Sequence, residues 1–592
     1  MREQLQQLRE RMREEKIDAY LIVSDDFHAS EYVGDYFKCR EYISGFDGSA
    51  GSVVVTKEEA GLWTDGRYFI QAEKQLEGSG ITLYKEGEKD VVSITQFLTK
   101  VLSKGGVLGF DGRTVNTAMV RKLKNDLYTL GVTLRSDVDL AGDIWRERPE
   151  LSAQPAWILE EAYAGESREE KLQRIREKMK EESADYYLVP SLDEIAWTLN
   201  IRGNDIAYNP VVLSYLLIHK TQLTWYVNEC SVSKEIADKL WQAGVELRPY
   251  MQIYDDLGLL PAQSSIILDE AQTNYALSHA IAQSVVKKPL KSPIELMKAV
   301  KNTTEYQNER KAHLKDGIAL TKLIYWLKHV EDKQSLSELD VCHKLEELRK
   351  MGSHYLGQSF APIAAYKEHG AIVHYEPDEV SSCALGNESF LLLDTGGQYL
   401  EGTTDVTRTI ALGTLTREQQ VHYTTVLKGN LNLAAACFKY GCTGLNLDYL
   451  ARSPLWSLGL DYNHGTGHGV GYLLNVHEGP NAFRYKEREG RGTVLEEGMI
   501  TSNEPGLYLE GRYGIRLENL ILCLTKEENE YGKFMEFETL TLVPFDMEAV
   551  AWDILSEQES EWLLDYQKRV YTEISDYLTE EERLWLKAQS RR

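Results

Sequence analysis

What this sequence lacks narrows its class before any motif is read. No run of about 18 apolar residues occurs in its 592, so no membrane span is expected. The seven cysteines (Cys39, Cys230, Cys342, Cys383, Cys437, Cys442 and Cys523) are scattered, odd in number and free of any C-x-x-C pair. That excludes a disulfide framework and a zinc knuckle, and predicts reduced thiols. Positive charge is in deficit: 66 Lys and Arg against 92 Asp and Glu give a formal net charge of −26. Such a balance argues against a nucleic-acid surface. GTGHGVG has Val470 where a dinucleotide fingerprint needs its last glycine, no Walker lysine follows FDGSAGS, and no G-x-S-x-G has a usable Asp and His order. Cys437 and Cys442 read as helical, apolar core positions. The start, MREQLQQLRERMREEK, is charged and amphipathic rather than signal-like, so a cytoplasmic location is expected.

The length is too great for one core, and two to four domains are expected. Internal similarity divides the chain further. LRERMREEKIDAYLIVSDD (8–26) aligns without gaps on IREKMKEESADYYLVPSLD (175–193), with ten of nineteen positions identical. Each copy is a charged helix running into an apolar strand, with more strand-like sequence behind it. Two related α/β domains in tandem, about 1–150 and 151–300, follow from this, joined by RERPELSAQPAW. From 301 to 592 a third domain begins with a long helical stretch. It continues through glycine-rich β segments and ends, from Met547, in acidic helical sequence.

Three segments of this last part carry acids or histidine inside otherwise apolar, strand-like surroundings. Asp394 closes a run of leucines and Asp405 precedes VTRTIAL. Glu504 precedes Pro505-Gly506, and Glu518 interrupts IRLENLILCL. A lone carboxylate in such a setting costs several kcal/mol. Arg408 and Arg516 supply two charges against four, whereas divalent cations would neutralise the set. Between them lies DYNHGTGHGVGYLLNVHEGP, whose glycines disfavour a helix for His464 and His468 in spite of their spacing of four. An extended or looping backbone is predicted there. Carboxylates plus one imidazole favour harder metals such as manganese over a thiolate zinc site.

GTTDVTRT, HGTGHGVGYLLNVHEGP, NEPGLY and GIRLEN, in this order and spacing, resemble the pita-bread metallopeptidases. FDGSAG, WTDGRYF, GAIVHYEP and ETLTLVPF extend the likeness to the long, three-domain Xaa-Pro aminopeptidases. The resemblance implies two creatinase-like α/β domains and a pita-bread catalytic domain binding two divalent metals, manganese by preference. The implied ligands are Asp394, Asp405, His468, Glu504 and Glu518. A hydroxide shared by the metals would attack the bond before proline in peptides with proline second, with Glu504 also handling protons. His374, His464 and His477 match non-ligating active-site histidines. Tyr508 and Arg516 match supporting residues, Arg67 a substrate contact from the first domain, and Trp456 a contribution across a homodimer contact. A prolidase restricted to dipeptides, or an inactive peptide-binding relative, are the alternatives. The second requires lost ligands, and all five stand.

Overall fold

The computed structural model describes residues 2–486 and 492–591. The chain divides into two compact units, residues 1–160 with 166–294, and 161–165 with 295–592.

The N-terminal unit holds two six-stranded sheets of one topology. In the first, the helix Glu3–Glu14 buries Leu5, Leu8 and Met12 and delivers the chain into the strand Ala19–Val23. This strand pairs antiparallel with Ser52–Thr56 and parallel with Val107–Gly109. Ala60–Thr64 and Thr82–Lys85 extend one side, and Thr133–Arg135 the other. The second sheet repeats this pattern. The helix Arg168–Glu181 leads to Tyr186–Val189, which pairs antiparallel with Ser214–His219 and parallel with Ser265–Leu268. Leu223–Val227, Val245–Pro249 and Val286–Pro289 complete the order, with the same parallel and antiparallel relations. Met12 and Met179, identical in the sequence repeat, are both 1% exposed.

The second unit opens on the 27-residue helix Thr303–His329, started by a reciprocal Asn302–Glu305 capping box. Its buried face presents Leu320, Leu323 and Leu327 to the apolar core, and Glu309, His313 and Asp316 further up. Behind it lies a three-stranded sheet of Ile363–Tyr366, Phe390–Thr395 and Val406–Ala411. The central strand is buried at all six residues, and each leucine of Leu391–Leu393 contributes about 1.5–3 kcal/mol of burial. A six-stranded sheet runs Cys437–Lys439, Gly532–Thr539, Asn519–Asn529, Ile500–Asn503, Gly467–Gly469 and Glu478–Phe483. The helices Glu557–Ile574 and Glu580–Gln589 close the chain.

One expectation fails here. Cys437 begins a three-residue edge strand with its side chain exposed, whereas Cys442, just past the following turn, is half-buried and does pack against the core around Phe438 and Leu447. Neither is helical, and the edge position of the short strand leaves the Cys437 side uncovered. Among the described residues no helix is long and apolar enough to cross a membrane.

Candidate active site

Two sheets of the second unit bring the four acids and His468 together at or beside strand ends. Asp394 lies on Phe390–Thr395, opposite Thr407, and Asp405 immediately precedes Val406–Ala411. His468 is central in Gly467–Gly469, Glu504 follows Ile500–Asn503, and Glu518 precedes Asn519–Asn529. Thr407 joins the sheets. Its carbonyl accepts from Glu518 N–H at 3.1 Å, and its hydroxyl donates to Glu518 Oε2 at 2.8 Å. A Cβ on Gly467 would stand 1.8 Å from the Ser502 carbonyl oxygen, so a glycine beside His468 is what lets the strands close up. His464 is not on the strand with His468; it sits in the preceding bend.

Asp405, His468 and Glu518 each aim one donor atom into a common space, all within 4.8 Å of one another. His468 Nδ1 donates to the Gly469 carbonyl at 3.0 Å, which leaves Nε2 to face Asp405 Oδ2 at 3.4 Å and Glu504 Oε1 at 3.5 Å. Burial disfavours charge on this ring, but Asp405 and Glu504 outweigh it and raise it to about 9. Burial raises Asp394 to about 6 against the opposing pull of Arg516. Glu518 is pushed well above the carboxylate range by burial and then by Asp405, Glu504 and Asp394.

Among the described residues, Arg516 is the one guanidinium bonded to a carboxylate of this set, with Nη2 2.5 Å and Nε 3.1 Å from Asp394 Oδ2. Arg408 gives its donors to the main-chain carbonyls of Thr407, Glu518, Val543 and Pro544, to Asn519 and to the Tyr566 hydroxyl. Asp394 Oδ1 is buried with no hydrogen-bond partner. Four carboxylates, one cationic neighbour, an orphaned carboxylate oxygen and an imidazole nitrogen aimed inward form a donor set that fits divalent cations.

A polar chain runs along one side. Arg516 Nη1 donates to the Tyr508 hydroxyl at 2.8 Å, and His464 Nδ1 donates to the Gly465 carbonyl at 2.7 Å. The Tyr508 hydroxyl therefore donates to His464 Nε2, 2.8 Å away. Burial lowers His464 to about 4, so it is neutral at pH 7. His477 meets the His468 ring edge-on at 4.4 Å. His374 follows Val373, whose carbonyl accepts from Arg516 Nη2 at 3.4 Å.

Arg67 and Trp456 complete the predicted set. Arg67 belongs to the N-terminal unit, bonded twice to Asp65 and 3.6 Å from Glu31. Trp456 ends the helix Gly444–Trp456, 39% exposed, with its ring 6.0 Å from Tyr449 and from Tyr485.

The structure adds residues that sequence reasoning passed over. Asp316 and Arg349, both buried, form a pair at 2.7 Å. Arg349 also donates to Thr395 Oγ1 and the Gly396 carbonyl, while Asp316 accepts from Thr404 Oγ1. The neighbours of Asp394 and Asp405 are thus clamped from behind. A second clamp holds the histidine bend. Arg452, 0% exposed, donates to Asp448 at 2.9 Å, Asp461 at 2.7 Å, and the carbonyls of Tyr462 (2.8 Å) and His464 (2.7 Å). The i,i+4 spacing of Asp448 and Arg452 was the available signal.

Comparison with known proteins places this site in a class. Residues 307–525 match metallopeptidase family M24, and 4–148 and 147–305 each match the creatinase/prolidase N-terminal domain. Residues 533–592 match the C-terminal region of peptidase M24. The chain belongs to metallopeptidase family M24, in its Xaa-Pro aminopeptidase group. It is 38% identical over 581 residues to Xaa-Pro aminopeptidase 1 of Dictyostelium discoideum, covering 96% of this chain and 92% of that one. Its fold matches the crystal structure of an X-prolyl aminopeptidase from Caenorhabditis elegans, described as a cytosolic enzyme with a di-nuclear active site. That match has a TM-score of 0.93 at 34% identity, over 100% of this chain and 99% of the other. An Xaa-Pro dipeptidase from Bacillus anthracis shares the fold at 23% identity and TM-score 0.52, over 64% of this chain and 99% of its own.

Proposed function

We propose that this chain is a metal-dependent aminopeptidase that removes the first residue of peptides carrying proline second. The observation that carries the reading is the convergence of Asp405, Glu504 and Glu518 on His468, with Asp394 close enough to feel the Asp405 and Glu504 charges and one guanidinium beside it, in a chain with full-length Xaa-Pro aminopeptidase relatives. Asp394, Asp405 and Glu518 would hold one divalent cation. His468 and Glu504, facing Asp405 and Glu518, would hold a second. The oxygen-rich set favours manganese. Bound there, two such cations supply Lewis-acid polarisation of the scissile carbonyl and a water acidic enough to ionise near neutral pH.

The protein's own groups do the rest. Arg516 holds Asp394 in one rotamer and partly offsets the crowd of carboxylates. His464, kept neutral and fixed by Gly465 and Tyr508, offers a rigid polar wall rather than a charge. Glu504, whose Oε2 lies 3.8 Å from His464 Nδ1, would by the resemblance take and return a proton as well as ligate. His477 and His374 position the carbonyl and leaving nitrogen. The nitrogen before proline has no N–H, so it is recognised by shape rather than through a donor. Arg67 and Trp456 enter as substrate contacts through the resemblance alone.

The division into parts of about 1–150, 151–300 and 301–592 belongs to the same reading, as do a cytoplasmic location and a homodimer. The homodimer is supported by an exposed face on Gly444–Trp456, where Leu445, Tyr449 and Trp456 adjoin Tyr485, at 39–59% exposure. Arg-Pro-Pro, Arg-Ala-Pro and Arg-Pro test the activity. Free arginine released from the first and not from the second is expected. Cleavage of Arg-Pro alone would make the enzyme a dipeptidase, and cleavage of none would refute the reading.

A further inference from the structure

Metal-ligating atoms converge at a second place in the catalytic unit. Glu338 opens the helix Glu338–Lys350, His369 lies in the short turn Lys367–Ala371, and Cys383 sits in the loop before the strand Phe390–Thr395. Each offers one donor atom, and the three atoms lie within 4.8 Å of one another. His369 Nδ1 is 2.9 and 3.1 Å from the two Glu338 oxygens and 3.7 Å from Cys383 Sγ.

The carboxylate is fully buried and held in place. Oε1 accepts from the Tyr366 N–H at 2.6 Å, and Oε2 accepts from the Tyr375 hydroxyl at 2.8 Å and the Cys383 N–H at 3.0 Å. These neutral donors are what an outer shell gives a ligating carboxylate: they fix its direction and leave lone pairs toward the imidazole and thiol. His369 and Cys383 are half-buried, which gives a cation a way in. Burial and then the Glu338 carboxylate push the Cys383 thiol up to about 12, so it is no nucleophile. A coordinated cation reverses that logic by displacing the thiol proton to solvent.

We propose that Glu338, His369 and Cys383 form a second metal site for a thiophilic, zinc-class divalent cation, with a fourth position open to water. One sulfur, one nitrogen and one oxygen ligand make a softer set than the oxygen-rich active centre, and three protein ligands with an open position suit zinc-like ions. On binding, the imidazole carries its hydrogen on Nε2, and the Nδ1 contact to Glu338 is replaced by coordination. The ligands His369 and Cys383 flank His374 in the chain, so the cation ties both ends of the loop that carries this histidine.

The test is a titration of the Mn²⁺-loaded protein with Cd²⁺, read by the ultraviolet charge-transfer band of a cadmium thiolate. Cadmium exchanged into the active centre is silent, because none of its five ligand residues contains sulfur. We expect a band that saturates at one sulfur-bound cadmium per chain and disappears in Cys383→Ser. His369→Ala should raise the half-saturating Cd²⁺ concentration by at least about tenfold. Without cadmium, Cys383→Ser should keep its arginine-releasing activity. The absence of a band in the wild-type protein, or an undiminished band in Cys383→Ser with the other cysteines present, overturns the proposal. The titration does not depend on the peptidase reading and can fail independently of it.

Discussion

Replacing Arg452 by methionine keeps an apolar stem in the same space and removes every donor of the clamp on the histidine bend. The loss leaves the Asp448 carboxylate, 0% exposed, with the Thr466 hydroxyl at 2.5 Å but no opposite charge. It also strips donors from the carbonyls of Tyr462 and His464. Breaking a buried ion pair from one side costs about 3–5 kcal/mol. At roughly 2–4 °C per kcal/mol for a unit of this size, the melting temperature should fall by about 6–20 °C. Activity should fall further than unfolding explains, since a shift of about 1 Å in a positioning group can cost about 100-fold. Thermal unfolding of the Mn²⁺-loaded variant, with kcat/KM measured well below its transition, reads both effects. The double variant Asp448→Asn with Arg452→Met removes both charges and should recover part of the stability. A fall below about 2 °C, or a double variant no more stable than Arg452→Met, would refute the reasoning.

Tyr508→Phe removes the hydroxyl between Arg516 and His464. It should cost about 0.5–1.5 kcal/mol in unfolding experiments and lower kcat more than it raises KM. Gly396→Ala would set a Cβ 2.0 Å from the Thr404 carbonyl oxygen and 2.1 Å from Ser359 Oγ, between Asp394 and Asp405. Loss of Mn²⁺ binding by calorimetry, in a protein that still unfolds cooperatively, is the expected result. Proton and cation compete for the same atoms, so Mn²⁺ affinity should fall as pH falls. His468, raised to about 9, predicts about tenfold per pH unit below that value, steepening below the value of about 6 for Asp394. Calorimetry across this range checks it, and a flat profile contradicts it.

The acids of the site were legible because each lies within or directly beside an apolar, strand-like run. Asp394 ends a leucine run, and a buried carboxylate there demands a partner. The N-terminal duplication was legible for a similar reason, since helix-to-strand switches recur with matching residues. What was not legible depends on tertiary packing. Asp316 and Arg349 stand 33 residues apart on two helices, and their pairing shows only when both face the turn between Asp394 and Asp405. Glu338 and Cys383, 45 residues apart, meet for the same reason. Cys437 was misread because its apolar neighbours suggest core, whereas the edge position of its strand exposes it. Around His464 and His468 the glycines were legible as excluding a helix, and one residue is indeed in a bend and the other on a strand.

The account rests most directly on a cation-dependent hydrolysis centred on the five converging residues. The measurement to make is arginine release from Arg-Pro-Pro by metal-stripped protein titrated with Mn²⁺, with bound manganese counted, alongside Glu504→Ala. Release that rises with manganese to two ions per chain and is lost in Glu504→Ala is the predicted result. Full activity without metal, or undiminished activity in Glu504→Ala, would contradict it.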